Sequence, residues 1–208
     1  MTESTLDRRE AMPKLFPEPE KFLMVAGLAG TARDTAAYTS EAHNLIALGG
    51  AMGAAVSMGL GAALSAPSEK VAVITGDGEL LMNIGALVTV ASMMPGNLSI
   101  VCIDNGCHGE TGGQLGHTAR RTNLALMAEG AGIPSIQTVS APDQLEAAAQ
   151  FLINAPAPRF LWVRVMQGPP ADYKRNWDLA ACRLRFRAAY LSRRKQSRGG
   201  QSAGVLAS

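Results

Sequence analysis

Two short polar segments, Gly76-Asp77-Gly78 and Asp104-Asn105-Gly106, contain the residues of this chain best suited to chemistry. Each directly follows an apolar run that is rich in β-forming side chains. The carboxylate of Asp77 and the amide oxygen of Asn105 are the kind of hard oxygen ligands that Mg²⁺ takes. The glycines on both sides of Asp77 let the backbone approach a ligand closely. The pattern therefore predicts a cation held between these residues and an anionic group such as a diphosphate.

The elements around these segments form one predicted β-α-β unit. Residues 71–75 and 98–103 are the apolar runs, and we expect both to be buried strands of a parallel sheet. A helix that begins near Glu79 should join them, with its first N–H groups facing an anion. One broad apolar face of that helix is expected to pack on the sheet, formed by Leu80, Leu81, Ile84, Leu87, Val88 and Ala91. Ligands of parallel sheets bind at the carboxyl edge, where the two polar segments would meet.

These features together resemble the cofactor signature of thiamine-diphosphate enzymes, in which Gly-Asp-Gly is followed by an Asn at the end of the next strand. Asn105 lies 28 residues after Asp77. The resemblance implies that Mg²⁺ is bound by the side chains of Asp77 and Asn105 and by the main-chain oxygen of Cys107. The usual Asn-Asn pair is Asp104-Asn105 in this chain, and the difference falls on the position that does not bind the metal. Other residues then expected beside the cofactor are Gly76, Gly78 and Glu79.

An unrelated β-α-β turn is the alternative for the first segment, since Gly-Asp-Gly alone is a common strand-to-turn sequence. The segment lacks the third glycine of a dinucleotide fingerprint and the lysine of a P-loop. The interpretation as a magnesium–diphosphate site therefore depends on the strand, the helix, the spacing and Asn105 taken together.

A second glycine-rich segment, Gly50-Ala51-Met52-Gly53, lies roughly 25 residues before Asp77. In thiamine-diphosphate enzymes a bulky apolar residue in such a segment supports the bent conformation of the cofactor. By this resemblance, Met52 is that support, and the carbonyl of Gly50 accepts a hydrogen bond from the pyrimidine amino group. The alternative is that Met52 fills a gap in the core, because methionine adapts to irregular spaces and the chain contains ten.

The uncharged segment 45–67 raises the possibility of a membrane helix. It consists mostly of Gly and Ala, however, and leads directly into the strand before Asp77. We therefore expect a Gly-rich turn followed by a tightly packed helix over about residues 51–64. The N-terminus has no apolar signal core, which indicates a cytoplasmic protein. The three cysteines, Cys102, Cys107 and Cys182, lack the spacing of a disulfide framework or a zinc site.

The segment 106–118 is predicted to be a functional loop, because it has too many glycines for a helix and is too long for a simple connector. We expect Gly109 of this loop to lie beside the cofactor. Only one or two of the polar loop residues are expected to contact substrate. The candidates are His108, Glu110 and His117 for catalysis, and Thr111 and Gln114 for substrate binding.

This loop resembles those of sulfopyruvate and phosphonopyruvate decarboxylases, in which Gly-Gly-Gln follows the magnesium-binding Asn. Gly112-Gly113-Gln114 matches that segment, and His108 fits the phosphonopyruvate version. We expect His108 or His117 to transfer a proton or to orient the substrate carboxylate. Glu110 stands where a small hydroxyl residue is expected, and its carboxylate would repel a sulfonate or phosphonate.

Four segments divide the chain of 208 residues, which is long enough for one α/β domain. Residues 1–21 are expected to form an irregular arm, and residues 22–170 the cofactor-binding domain. Residues 171–196 should form a basic helix, and residues 197–208 a disordered tail. The basic end could touch nucleic acid or a membrane, but a solvated helix and loose tail is favoured, so we expect neither partner.

The predicted fold class is α/β, with a single doubly wound, mostly parallel sheet and helices on both faces. This is the fold of the diphosphate-binding domain that the resemblance implies. Beyond the β-α-β unit, the pattern predicts strands over residues 22–26, 135–139 and 159–165. It also predicts helices over residues 31–38, 123–131, 141–154 and 179–191.

Catalysis by thiamine diphosphate also needs a glutamate against the pyrimidine ring, which in the family lies on a separate pyrimidine-binding domain. One α/β unit accounts for this whole chain. We therefore expect an alpha-type partner subunit to supply the glutamate, as in two-chain sulfopyruvate decarboxylase. The predicted activity is non-oxidative decarboxylation of a small 2-oxo acid to an aldehyde, by a hetero-oligomer with two copies of each chain or more.

Two other functions fit the same residues. A subunit of a carboligase or of a 2-oxo acid oxidoreductase would use the same cofactor, although a cysteine cluster for iron–sulfur ligation is lacking. A non-catalytic binding or regulatory subunit would keep the fold, but the presence of Asp77 and Asn105 argues against it. The residues leave open which 2-oxo acid is the substrate.

Overall fold

The computed structural model describes residues 4–203, with side chains as far as residue 194. The strands, in chain order, are β1 Phe22–Ala26, β2 Leu45–Ala47, β3 Lys70–Gly76, β4 Leu98–Asp104, β5 Cys107–His108, β6 Gln114–Leu115, β7 Ser135–Val139 and β8 Arg159–Arg164. The helices are α1 Arg8–Leu15, α2 Ala29–Thr39, α3 Ala55–Ser65, α4 Asp77–Leu81, α5 Ala86–Met93, α6 Leu124–Ala131, α7 Leu145–Asn154 and α8 Leu179–Ala203.

A six-stranded, parallel sheet in the order β2-β1-β3-β4-β8-β7 forms the centre of the described chain. β4 is buried along its whole length, and β3 at every residue except its two ends. Such continuous burial is expected where helices cover both faces of a parallel sheet. The predicted α/β class, with its doubly wound sheet, is confirmed. β5 and β6 form a separate antiparallel hairpin in the loop that follows β4.

Alternate residues of the central strands point into two apolar layers. In β1, Leu23 and Val25 face one layer, together with α3, α5, α6 and α8. Met24 and Ala26 face the other layer, together with α1, α2 and α7. The period of two along a strand thus divides the core between the two sides of the sheet.

The chain direction across the sheet reverses between β1 and β3. From β1 the chain moves to β2 on one side, and from β3 it moves to β4 and then to β7 and β8 on the other, with β8 between β4 and β7. The loops after β1 and β3 therefore part at the carboxyl edge and leave a crevice between them. This is the place where open α/β sheets bind ligands.

The expectation of an irregular arm over residues 1–21 was wrong, because this segment contains α1. The carboxylate of Asp7 caps the helix by accepting a hydrogen bond from the Arg9 N–H at 2.8 Å. The apolar side chains that dock the helix in its layer of the core, beside α2 and α7, are all buried: Leu6, Ala11, Met12, Leu15 and Phe16. Prolines at positions 13, 17 and 19 hide this helical pattern in the sequence.

Several predicted boundaries changed. The single helix expected after Glu79 is divided into α4 and α5, which are joined by turns whose backbone hydrogen bonds span three residues, and within them the Asn83 side chain donates a hydrogen bond to the Gly53 carbonyl at 3.0 Å. Val88 was placed on the buried face but is exposed. The helix expected over residues 51–64 begins at Ala55, and β2 was missed. Three residues are too short for a periodic signal.

The C-terminal helix α8 crosses the β2 side of the sheet and is longer than predicted. Phe186 enters the core, Tyr190 donates a hydrogen bond to the Ser65 carbonyl, and Arg193 pairs with Glu69 at 3.1 Å. The helix continues through Ala203, so it includes part of the tail expected to be disordered. Residues 204–208 of that tail lie outside the described part of the chain. Within the described residues, no helix is long and apolar enough to cross a membrane.

Candidate cofactor site at the carboxyl edge

The ends of β1, β3 and β4 converge on a cavity of about 590 Å³. The turn after β1 provides residues 28–31, the start of α4 provides residues 76–79, and the loop after β4 provides residues 105 and 107–111. Arg8 of α1, Met52 and residues 168–170 complete the wall. The two polar segments singled out in the sequence are therefore brought together.

Asp77 lies at the first position of α4 and is only 4% exposed. Its Oδ2 is 3.2 Å from the Thr118 hydroxyl, which is also 2.8 Å from Oδ1 of Asp104. Since one hydroxyl carries one proton, and Asp104 is the nearer acceptor, Asp77 has a weak partner there. The carboxylate of Asp77 therefore keeps acceptor capacity for a ligand.

Burial, followed by the nearby carboxylate of Asp104, raises the pKa of Asp77 to about 6. Hydrogen bonds from the N–H groups of Asp77 and Gly78 and from Thr118 act in the opposite direction on this pKa. A buried carboxylate beside another carboxylate favours a neutral form unless a cation compensates the charge. This electrostatic situation fits a divalent cation.

Asn105 and Cys107 follow β4 and line the same cavity as Asp77. The amide oxygen of Asn105 accepts the Cys107 N–H at 3.3 Å, which turns the chain tightly after the strand. Both residues are half-buried. One carboxylate, one amide oxygen and one main-chain carbonyl form an oxygen set suited to Mg²⁺. Correspondingly, no group of three His, Cys, Asp or Glu residues capable of holding a metal occurs in the described chain.

Asp104 has a structural role that the sequence did not indicate. It is buried, and its carboxylate accepts hydrogen bonds from Trp162 Nε1, the Gly106 N–H and the Thr118 hydroxyl, each at 2.8 Å. These bonds link the ends of β4 and β8 to the loop that returns to the site. Asp104 thereby positions its neighbour Asn105.

Glu79 is 5% exposed and lines the cavity. Its Oε2 accepts the Leu28 N–H at 3.0 Å, and its Oε1 has no hydrogen-bond partner among the described residues. Burial raises the pKa of this carboxyl group. Glu79 connects the turn after β1 to α4 across the crevice. Its role in the structure is to hold the two sides of the site together.

The second glycine-rich segment reaches the cavity through one residue. Met52 lines the wall and is 44% exposed, so it does not fill the core. Gly50 is exposed but lies outside the described lining, and its carbonyl accepts the Met52 N–H at 3.1 Å. An exposed apolar side chain at the mouth suits contact with an apolar part of a ligand.

The polar loop residues divide into two groups. The imidazole of His108 lies against Gly78, where an added Cβ would be 3.2 Å from the ring, and it lines the cavity with Gly109, Glu110 and Thr111. Gln114 and His117 are exposed and are not among the described lining residues. Gln114 instead bonds to Thr111 within the loop. The structure thus brings His108 to the predicted site but leaves His117 outside it.

Sequence reasoning missed the contributions from both ends of the chain. Arg8 and residues 168–170 line the cavity, although the first was assigned to an irregular arm and the others were passed over. The apolar spacing of Leu6, Met12 and Leu15 was the available signal for α1.

Comparison with known proteins identifies the family of this fold. Residues 28–163 match the model of the thiamine pyrophosphate enzyme, C-terminal TPP binding domain. Sulfopyruvate decarboxylase subunit beta from Methanocaldococcus jannaschii is 41% identical over 58% of this chain and 63% of the relative. The same subunit from Methanothermobacter thermautotrophicus is 39% identical over 64% of this chain and 70% of the relative.

Longer relatives match over a smaller share of their own length. Phosphonopyruvate decarboxylase from Streptomyces hygroscopicus is 32% identical over 77% of this chain and 40% of the relative. A crystal structure from Mycobacterium smegmatis, described as a thiamin diphosphate-dependent enzyme, superposes with a TM-score of 0.66 at 22% identity. It covers 79% of this chain and 33% of that one, and at this identity it supports the fold alone. This chain therefore spans part of the length of each of these proteins.

Proposed function

This chain belongs to the thiamine pyrophosphate enzymes, whose C-terminal TPP binding domain it contains, and we propose that it is the diphosphate- and Mg²⁺-binding subunit of a 2-oxo acid decarboxylase. The observation that carries this proposal is that Asp77, Asn105 and Cys107 line one cavity at the carboxyl edge of the sheet. Thiamine diphosphate fits the family of this domain, and the oxygen donors fit the metal that would accompany its diphosphate.

Three residues would hold the metal. The side chains of Asp77 and Asn105 and the main-chain oxygen of Cys107 would bind Mg²⁺, and Gly76, Gly78 and Gly109 would let the backbone approach the diphosphate. Met52 would support the apolar part of the cofactor. When bound, thiamine diphosphate supplies a carbanion nucleophile and a sink for the electrons released with carbon dioxide.

His108 is the residue of this chain best placed to move a proton. It lines the cavity beside Gly78, and it is half-buried. We propose that it donates a proton to the product or orients the substrate carboxylate. Thr111 and Glu110 lie on the same side of the cavity, where they would set the character of the substrate side chain.

A matched pair of histidine variants tests this assignment. We expect His108→Ala to lower kcat of the reconstituted enzyme by about 10²-fold or more, because general acid–base catalysis contributes that much. His117→Ala serves as the control, since His117 lies outside the described lining, and it should retain wild-type turnover. Equal effects of the two variants would contradict the assignment.

The proposed partner is an alpha-type subunit that supplies the activating glutamate. Two relatives are named beta subunits, which supports a hetero-oligomer, and they act on sulfopyruvate by name. We propose a small 2-oxo acid for this chain, with Glu110 opposing a second strongly acidic group near the loop.

Native purification followed by mass analysis tests the two-chain assembly. A stoichiometric second polypeptide is expected, and the complex should release carbon dioxide and an aldehyde from a 2-oxo acid only with thiamine diphosphate and Mg²⁺. A self-assembled oligomer without a partner would reject the two-chain proposal. A C–C coupled product, or a requirement for an electron acceptor, would reject decarboxylation as the activity.

A further inference from the structure

We propose that Arg8, carried by α1, is an oxyanion-binding residue of the cavity. It lines the cavity together with Asp77, Gly78 and Asn105, although the first of these, Asp77, follows it by 69 residues (77 − 8) along the chain. The ligand chemistry is a phosphate-, sulfonate- or carboxylate-type oxyanion, which a guanidinium binds through paired N–H donors. This inference rests on the proposed function, because the anion would be the cofactor's diphosphate or an acidic group of the substrate.

The side chain of Arg8 is held in place by an ion pair with Asp34. It is 7% exposed, and its Nε bonds to Oδ2 of Asp34 at 2.5 Å. The other carboxylate oxygen of Asp34 accepts the Ala171 N–H at 2.7 Å. One buried carboxylate of α2 therefore fastens the N-terminal helix and the segment after β8 to the same point. A guanidinium fixed at Nε keeps its terminal nitrogens in a defined orientation.

The terminal nitrogens of Arg8 lie over Gly30, in the first turn of α2. A Cβ at Gly30 would collide with Nη1 and Nη2. Gly30 and Thr31 line the same cavity, and α2 has no side-chain cap at its N-terminus. The partial positive charge of an uncapped helix start adds to the charge of Arg8 on this wall. The absence of a side chain at Gly30 thus makes room for the cation at the cavity surface.

The charges that line the cavity explain why such a cation would matter. Asp77, Glu79 and Glu110 are its carboxylates, and Arg8 is the only Lys or Arg among the described lining residues. An anion entering this cavity meets repulsion from the carboxylates. A divalent cation at Asp77 and the guanidinium of Arg8 would together offset that repulsion from two different walls.

Removing Arg8 alone would leave Asp34 buried without its partner, which destabilises the fold. We therefore pair the substitutions Arg8→Gln and Asp34→Asn, which keep two hydrogen-bonding side chains and remove both charges. Arg8→Lys is a second variant that keeps the ion pair but replaces the planar group with a single ammonium. Arg9→Gln is the matched control, because Arg9 is exposed and pairs with Asp7.

Binding to the full chain is measured by calorimetry with Mg²⁺ present, first with inorganic pyrophosphate and then with thiamine diphosphate. Phosphonoacetate, a small anion without a ketone, is then titrated into the chain saturated with thiamine diphosphate. Circular dichroism and thermal unfolding establish that each variant is folded. Pyrophosphate needs no pyrimidine-binding partner, so it tests Arg8 even if the chain alone holds the whole cofactor poorly.

If Arg8 binds the diphosphate, the double variant should weaken pyrophosphate and thiamine diphosphate binding by about tenfold or more, and Arg8→Lys by less. If Arg8 binds the substrate, those affinities should persist while phosphonoacetate binding weakens by a similar factor. Affinities equal to those of Arg9→Gln for all three ligands would overturn the inference. Wild-type pyrophosphate binding that is equally tight with a chelator in place of Mg²⁺ would instead contradict the proposed Mg²⁺–diphosphate function, while a loss of that binding in the double variant would still support the role of Arg8.

Discussion

The substitution Asp77→Asn should stabilise the metal-free protein while it removes metal binding. In the folded chain the pKa of Asp77 is raised to about 6 from its ordinary value of 3.8, because the carboxyl is buried and close to Asp104. At neutral pH the charged carboxylate therefore opposes folding. The difference between the two pKa values corresponds to roughly 2–3 kcal/mol. Asparagine has nearly the same shape and carries no charge.

The sign of the effect fixes its pH dependence. As the pH rises above 3.8, the unfolded chain releases the Asp77 proton, while the folded chain retains it until about pH 6. Wild-type stability contributed by this group is therefore present at acid pH and is lost over this range. The advantage of Asp77→Asn should be small near pH 4 and should reach its full value above about pH 7.

Urea unfolding at about pH 4 and about pH 7, with a chelator present, measures how much more stable Asp77→Asn is than the wild type. Asp104→Asn is the informative comparison, because Asp104 already accepts three hydrogen bonds at 2.8 Å and its replacement should destabilise the protein at both pH values. Added Mg²⁺ should then stabilise the wild type and leave Asp77→Asn nearly unchanged. An Asp77→Asn protein that is less stable than wild type at neutral pH, or an advantage independent of pH, would refute the reasoning.

Three further substitutions test how the site is supported. Leu15→Ala should lower the free energy of unfolding measured in urea by about 2–5 kcal/mol, because Leu15 docks α1 in the core. A loss of less than about 0.5 kcal/mol, as at an exposed position, would show that α1 is not docked. Gly27→Ala should cost about 1–3 kcal/mol, because an added Cβ would collide with the Glu79 carboxylate, and Gly61→Ala, with open space, is its control. Trp162→Phe should cost about 1–3 kcal/mol by removing a donor from buried Asp104, and an unchanged unfolding midpoint would contradict that role.

The Arg8–Asp34–Ala171 arrangement suggests why the two ends of the chain matter to the site. The matched family domain covers residues 28–163, so Arg8 and residues 168–170 lie outside it. They nevertheless form part of the cavity wall and are joined at Asp34. Truncation to the family domain would therefore open the cavity on this side.

Much of the cofactor wall was predictable from the sequence, because the relevant residues are close to their strands. Asp77 and Asn105 follow β3 and β4 directly, and neighbouring parallel strands end at the same edge. The apolar runs of the two buried strands and the turn residues that follow them were enough to place both side chains. The fold class was predictable for the same reason, since apolar strands alternate with helical segments.

Other features depended on contacts between residues far apart in the chain. His108 and His117 look equivalent as loop residues, but the hairpin of β5 and β6 turns one toward the cavity and leaves the other outside the described lining. Between α4 and α5, the Asn83 side chain donates a hydrogen bond to the carbonyl of Gly53, which lies 30 residues earlier in the chain. Neither outcome leaves a periodic signal in the sequence.

Local pattern determined five of the six strands of the central sheet, the start of a helix close to Asp77, and the oxygen donors at the carboxyl edge, because apolar runs and turn preferences act between neighbours along the chain. Tertiary structure alone decided that Arg8 reaches the cavity, since its position depends on Asp34 in another helix and on the segment after the last strand. The position of the Arg8 charge is set by the packing of elements that are distant in the chain, and many buried residues contribute to the free energy of that packing. Sequence periodicity records that a side chain is buried, but not which distant group it meets.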